Sequence, residues 1–196
     1  DDDPAEIGIE NSWLLVDAMR DYLADERAGK NALTKCGIPE LDSAIAGGMA
    51  PGEMMILAAR PSHGKSAIAL QFVHHWTSQK LPCAFISEEM SKLAIGKRSL
   101  QYVSDVPEEN WNSQQIKIDN DIEEYSRAHA PTIGIEFCHN IDKVILSLEQ
   151  AIEQHGIKCA VVDYVQILNA AGREKREQVS KSSIALRQLA IRSKIV

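Results

Sequence analysis

The sequence contains no C-x-x-C pair, no apolar run long enough to span a membrane, no excess of positive charge and no internal repeat or low-complexity tract. Each absence removes a class of function. Cysteines stand only at 36, 83, 138 and 159, so the usual zinc and dithiol redox motifs are excluded. Cys83, Cys138 and Cys159 sit in or beside apolar stretches and read as buried free thiols of a reducing cytosol. With 28 acidic against 21 basic residues the net charge is −7, which excludes a basic surface extending over the whole protein. A local basic loop stays open, because binding depends on where charge sits. Without a spanning segment no membrane role is expected, and the acidic first residues do not read as a signal peptide. A cytoplasmic protein is the expectation.

What is present is an alternation. The chain has 196 residues, 44% of them hydrophobic, enough for one domain with an appendage and a sizeable core. Residues 1–30 read as an acidic lead-in and a linker helix capped by Asn11 or Ser12. Its apolar face carries Trp13, Leu14, Val16, Ala18, Met19, Tyr22 and Leu23, and Gly29 ends it. That face can pack on its own domain or dock on a neighbour. From residue 31 onward strands and helices follow in turn. Strands are expected at "MMILAA" (54–59), "CAFIS" (83–87), "IGIEFC" (133–138) and "CAVVDYVQIL" (159–168). Helices are expected near 39–46, 65–79, 91–103, 142–156 and 179–194, with helical surface before residue 130. This order predicts an α/β fold with a mostly parallel sheet flanked by helices.

The segment "AARPSHGKSA" follows one predicted strand and opens a helix, which is the context a phosphate cradle requires. The candidate cradle comprises Ala59, Arg60, Pro61, Ser62, His63, Gly64, Lys65, Ser66 and Ala67. Loop amides and a helix N-terminus can converge there on phosphate oxygens. Lys65 would reach the β- and γ-phosphates, Ser66 would hold Mg²⁺ and Gly64 would allow close backbone approach. Ala59 stands where the general pattern has its first glycine, and alanine serves if the backbone keeps an ordinary φ.

Two carboxylate signals accompany the loop. In "CAFISEEM", Glu88 and Glu89 follow a short apolar strand, where an acid can orient and deprotonate an attacking water. Either residue is otherwise a solvated loop acid. Asp163, inside "CAVVDYVQIL", resembles a Walker B aspartate that steadies Mg²⁺; buried without a partner it would cost several kcal/mol. Other residues read as structure: His63 acts through its backbone, and His74 and His75 are adjacent on a helix and so diverge. Phe72, Val73 and Trp76 read as core, while Asp119, Asp121, Glu123 and Glu124 read as a solvated helix start.

These stretches together resemble the C-terminal ATPase domain of DnaB-type replicative DNA helicases, within the RecA-like group of P-loop NTPases. The likeness is carried by "GIPELDSAIAGGMAPGE", "AARPSHGKS", "SEEMSKLAIGKRSL", "VVDYVQIL" and "QVSKSSIALRQLA". It runs from about Cys36 to Val196. In that family alanine commonly replaces the first glycine of the loop. The resemblance implies ATP and Mg²⁺ as cofactors, Glu89 rather than Glu88 as the catalytic glutamate and Gln166 as the glutamine beyond the Walker B acid. Arg98 matches a basic position of the family's helix. The segment "NAAGREKREQ" matches a channel loop, with Arg173, Lys175 and Arg176 as DNA contacts; Glu174 and Glu177 interrupt its charge, and a solvated mixed-charge loop is the plainer reading. The implied partners are single-stranded DNA, further copies in a hexameric ring and a primase or loader. The family's core continues past the equivalent of Val196, so residues 31–196 are expected to be an incomplete domain, weak in hydrolysis by itself. RecA-like recombinases and clock-type ATPases share the cradle, and a nucleotide-binding assembly module without turnover is a further alternative.

Overall fold

The computed structural model describes residues 15–29, 32–60, 62–165, 168 and 174–196. The chain divides into two compact units, residues 1–32 and 33–196. In the first, helix α1 spans Leu15–Arg27, with Asp17 in its first turn and Arg27 in its last, both suited to the helix dipole. Leu15, Val16, Met19, Tyr22 and Leu23 share one face of it. The expected cap at Asn11 or Ser12, and Trp13 and Leu14, lie outside the described residues.

Among the described residues the second unit is built on three parallel strands, β1 (Cys83–Ser87), β2 (Thr132–Glu136) and β3 (Cys159–Asp163), in the order β2-β1-β3. Helices α2 (Pro39–Ala44), α3 (Lys65–Ser78), α4 (Lys92–Val103), α5 (Gln115–Ala128), α6 (Ile141–His155) and α7 (Lys175–Ser193) complete it. All five residues of β1 are buried, as expected for a central parallel strand covered on both faces. Because side chains alternate along a strand, β1 feeds two cores. Cys83 and Phe85 join Phe72, Val73 and Trp76 of α3; Ala84 and Ile86 join Val144 and Leu148 of α6 with Leu186 and Leu189 of α7. β2 is an edge strand whose burial alternates between exposed and half-buried.

The sequence signals that start and stop these helices are local. The Asn140 side chain accepts from the Asp142 amide and caps α6, which stops at Gly156 in the left-handed region. Ser91 caps α4 by accepting from the Ala94 amide. The loop before α2 is held by Asp42, which is buried and accepts from the amides of Cys36 and Gly37 at 2.6 and 3.2 Å.

Three expectations need correction. Residues 54–59 form no strand: among the described residues their amides and carbonyls find no backbone partner. Among the described residues the edge of β3 away from β1 is bonded at its start, where the Ala160 N–H donates to the Val196 carbonyl and the Val196 N–H to that of Lys158. An apolar cavity of about 250 Å³ is lined by Met54 and Leu57 of the 54–59 segment, Val162 of β3 and Leu186 and Leu189 of α7. Strand β3 ends at Asp163 rather than running to residue 168, because its ladder with β1 ends where Ser87 pairs with Asp163. Leu168 is apolar because it is fully buried in the second core, not because it pairs. Helix α7 begins at Lys175, four residues earlier than expected, with the Gln178 N–H donating to the Glu174 carbonyl as its first bond.

Candidate functional site

The loop between residue 59 and α3 turns on two positive φ angles. Gly64 has φ 82° and immediately precedes α3; Ser62 has φ 63°. Ala59 does not take positive φ. The His63 amide donates to the Arg60 carbonyl at 3.2 Å, which tightens the turn. Ala59, Arg60, Ser62, His63, Gly64 and Ala67 are exposed, while Lys65 and Ser66, the first two helical residues, are half-buried. Pro61 lies outside the described residues. A Cβ on Gly64 would meet nothing within 4 Å, so the site above it is open and glycine is required for its dihedral angle alone.

Strand β3 delivers Asp163 to this opening. The parallel register sets Ser87 opposite Asp163, so the carboxyl ends of β1 and β3 lie side by side, where open α/β sheets bind their ligands. Lys65 Nζ is 3.4 Å from Asp163 Oδ1, with Asp163 only 3% exposed. The same ammonium stands 3.7 Å above the centre of the Tyr164 ring. Asp163 Oδ2 is buried and has no hydrogen-bond partner among the described residues. An orphaned carboxylate oxygen suits a hard divalent cation, so Asp163 could hold Mg²⁺, and Ser66, which follows Lys65 in the first turn of α3, carries a hydroxyl of the kind that could join it.

The two glutamates after β1 differ sharply. Glu89 is exposed. Glu88 is buried, and its carboxylate accepts from the amides of Cys138 and His139 at 3.0 and 2.8 Å. It is therefore not the solvated loop acid that sequence alone allowed. The Glu88 amide donates to the Asp163 carbonyl at 2.7 Å, and Ser87 Oγ both accepts from the Met90 amide and donates to the Met90 carbonyl. The turn carrying Glu89 is thus fixed on both sides and lies next to Asp163.

Lys175 and Arg176 are exposed in the first turn of α7, at the end of the helix where the dipole disfavours cations. Gln166 and Arg173 lie outside the described residues. Arg98 is exposed on α4. Phe72, Val73 and Trp76 are core, and the Trp76 Nε1–H donates to the Lys35 carbonyl. His74 is buried against Tyr125, with Nδ1 2.7 Å from the phenol oxygen, and is stacked on Tyr102 at 4.2 Å. Burial first, and His129 second, lower its pKa to about 4. The acids read as a helix start lie inside α5, which begins at Gln115; Asp121 accepts from Ser104, just beyond α4, and pairs with Lys117 one turn earlier on its own helix. Sequence reasoning missed Tyr164 and the burial of Glu88. No described helix is long and apolar enough to cross a membrane.

Residues 34–196 match the family model of the DnaB-like helicase C terminal domain. The chain is similar to the replicative DNA helicase DnaB of Leifsonia xyli subsp. xyli, with 30% identity over 166 residues, which covers 79% of this chain and 35% of that relative. It therefore spans about a third of that protein's length. Among solved structures it is similar to an ATPase domain, with TM-score 0.78 and 20% identity over 95% of this chain and 70% of that one. It also resembles a KaiC-like protein of Pyrococcus horikoshii OT3, with TM-score 0.60 and 20% identity over 83% and 67% of the two chains. At that identity the structural likenesses establish the fold, which is RecA-like. Taken with the family match over 34–196, they make the chain a member of the DnaB-like helicase C-terminal domain family.

Proposed function

We propose that this chain is the ATP-driven motor of a replicative DNA helicase, which translocates on single-stranded DNA and unwinds duplex as a hexameric ring in the cytoplasm. The observation that carries the reading is the approach of Lys65 to Asp163 at 3.4 Å at the open end of α3. An ammonium, a helix N-terminus, a hydroxyl and a buried acid with a free oxygen there form the minimum set for a Mg²⁺–nucleotide. Residues 59–67 would cradle the phosphates. Lys65, now held by Asp163 and Tyr164, would turn to the β- and γ-oxygens, and Asp163 so released would hold the metal with Ser66. Bound Mg²⁺ would neutralise charge on the phosphates. Glu89 would take the proton of the attacking water. Gln166 would lie beyond the Walker B acid as in the family. Arg173, Lys175 and Arg176 would contact DNA phosphates, and cations in the first turn of α7 gain most when an anion sits there. Primase or loader contacts belong to the complete assembly.

Lys65→Ala in the complete protein should abolish ATP turnover; turnover equal to the parent's would overturn the assignment. Recombinases and clock-type ATPases share this cradle, and the likeness to the KaiC-like protein is one of fold only. Duplex unwinding rather than strand exchange by the complete protein separates the readings.

A further inference from the structure

We propose that Glu88 is a positioning residue for hydrolysis: its buried carboxylate clamps the 137–139 loop to the end of β1 and thereby sets the direction in which Glu89 leaves the strand. The proposal rests on the reading of Glu89 as the group that activates water.

The geometry is specific. Both oxygens of Glu88 are engaged, Oε1 by the Cys138 N–H and Oε2 by the His139 N–H, with His139 Nδ1 a further 3.2 Å from Oε2. The side chain has no exposed surface. A carboxylate so enclosed has no free edge to offer a water, which removes Glu88 as the base and leaves Glu89. The loop that grips it is shaped for an anion. Phe137 and His139 take φ 49° and 53°, a conformation that non-glycine residues rarely adopt, and between them successive amides point inward to make a nest. The anion in this nest is the protein's own.

The clamp connects the ends of all three strands. The Phe137 N–H donates to the Ser87 carbonyl at 2.9 Å, which continues the β1–β2 ladder past Glu136. The Glu88 N–H donates to the Asp163 carbonyl at 2.7 Å. One residue is therefore bonded through its amide to the strand that carries the metal-fitting acid and through its carboxylate to the loop after the edge strand. Glu89 is the next residue. Loosening the carboxylate would remove one anchor of the peptide that aims Glu89, leaving its amide bond to Asp163 and the Ser87–Met90 bonds, while Gly64, Lys65 and Ser66, on a different element, stay in place. Hydrolysis should suffer and nucleotide binding should not.

The test uses the complete protein and its Glu88→Gln variant, in which one oxygen is replaced by an NH₂ that cannot accept from an amide. Steady-state ATP turnover is measured, together with backbone amide exchange at Cys138 and His139 without nucleotide. The expected result is a kcat at least tenfold lower with KM within twofold, and exchange of both amides at least tenfold faster. Glu88→Asp, which keeps both acceptor oxygens, should recover part of each loss; it is scored by the same two readouts if Glu88→Gln does not fold. A kcat within twofold of the parent, a raised KM at unchanged kcat, or unchanged exchange would each overturn the proposal. Lys65→Ala is run alongside. Turnover that survives Lys65→Ala removes the cradle reading and this proposal with it. Turnover lost with Lys65→Ala but kept with Glu88→Gln removes this proposal alone.

Discussion

Lys65 and Asp163 stabilise one another, so Lys65→Ala should weaken the fold as well as the proposed chemistry. Asp163 is 3% exposed and Lys65 24%, so the pair is mostly buried. Removing one partner of a buried pair costs about 3–5 kcal/mol, because the remaining charge stays desolvated. The partial exposure of Lys65 lowers this to about 2–3 kcal/mol. Loss of its contact with the Tyr164 ring adds about 0.5–1 kcal/mol. For a chain of this size each kcal/mol moves Tm by about 2–4 °C, so Lys65→Ala should melt roughly 5–16 °C below the parent. Adding Asp163→Asn removes the stranded charge, and the double variant should recover about 2 kcal/mol relative to Lys65→Ala. Thermal unfolding of the four proteins of this cycle, without nucleotide or divalent cation, measures the coupling directly. A Lys65→Ala protein that melts within 1 °C of the parent, or a double variant whose losses simply add, would refute the reasoning.

The remaining predictions concern the frame of the site. Burial lowers the pKa of His74 to about 4 from an ordinary 6.5, so between those values the unfolded chain binds the proton and the folded one does not. The contribution is intact above pH 6.5 and is lost as pH falls to 4, a total of about 3 kcal/mol. Stability measured from pH 7 to pH 4 should fall less steeply for His74→Gln than for the parent. Gly37 and Gly64 share nearly the same φ, 83° and 82°, but a Cβ on Gly37 would lie 2.4 Å from His75 Cγ and one on Gly64 would meet nothing. Gly64→Ala should therefore cost only the strain of a left-handed alanine, about 1–2 kcal/mol by chemical denaturation. Gly37→Ala should cost more, and His75→Ala should remove only part of the excess, because the Cβ that alanine keeps would still lie 2.9 Å away.

How far each feature was legible depended on how local its cause is. The proposed cradle, the start of α3 and the caps of α4 and α6 are written in adjacent residues, and Asp163 is conspicuous because an acid in an apolar run needs a partner. That partner, Lys65, stands far earlier in the sequence; motif chemistry named Lys65 for phosphate, and its pairing with Asp163 was not legible. Glu88 was legible only as an acid after a strand, because the amides that enclose it come from the loop after β2, 50 and 51 residues on. No local pattern records such a pairing. Tyr164 was hidden for a similar reason: it continues an apolar run, and only the ladder's end at Asp163 turns its ring toward Lys65. Residues 54–59 have the composition of a buried strand, but a strand is a relation between two segments, and no described backbone completes this one.

Ala59 brings these lines together. A glycine at the first position of a phosphate loop is needed where the backbone must take positive φ, since L side chains are strained in that region and glycine is not. Here the left-handed residues of the loop are Ser62 and Gly64, and Ala59 stays in ordinary space. In the proposed cradle the backbone that would approach a phosphate is at the mouth of α3, where a Cβ on Gly64 would meet nothing within 4 Å. Alanine at 59 therefore removes nothing that the cradle's geometry uses. The match to the general loop pattern is weakened at a position that carries no conformational demand, and kept at the one that does.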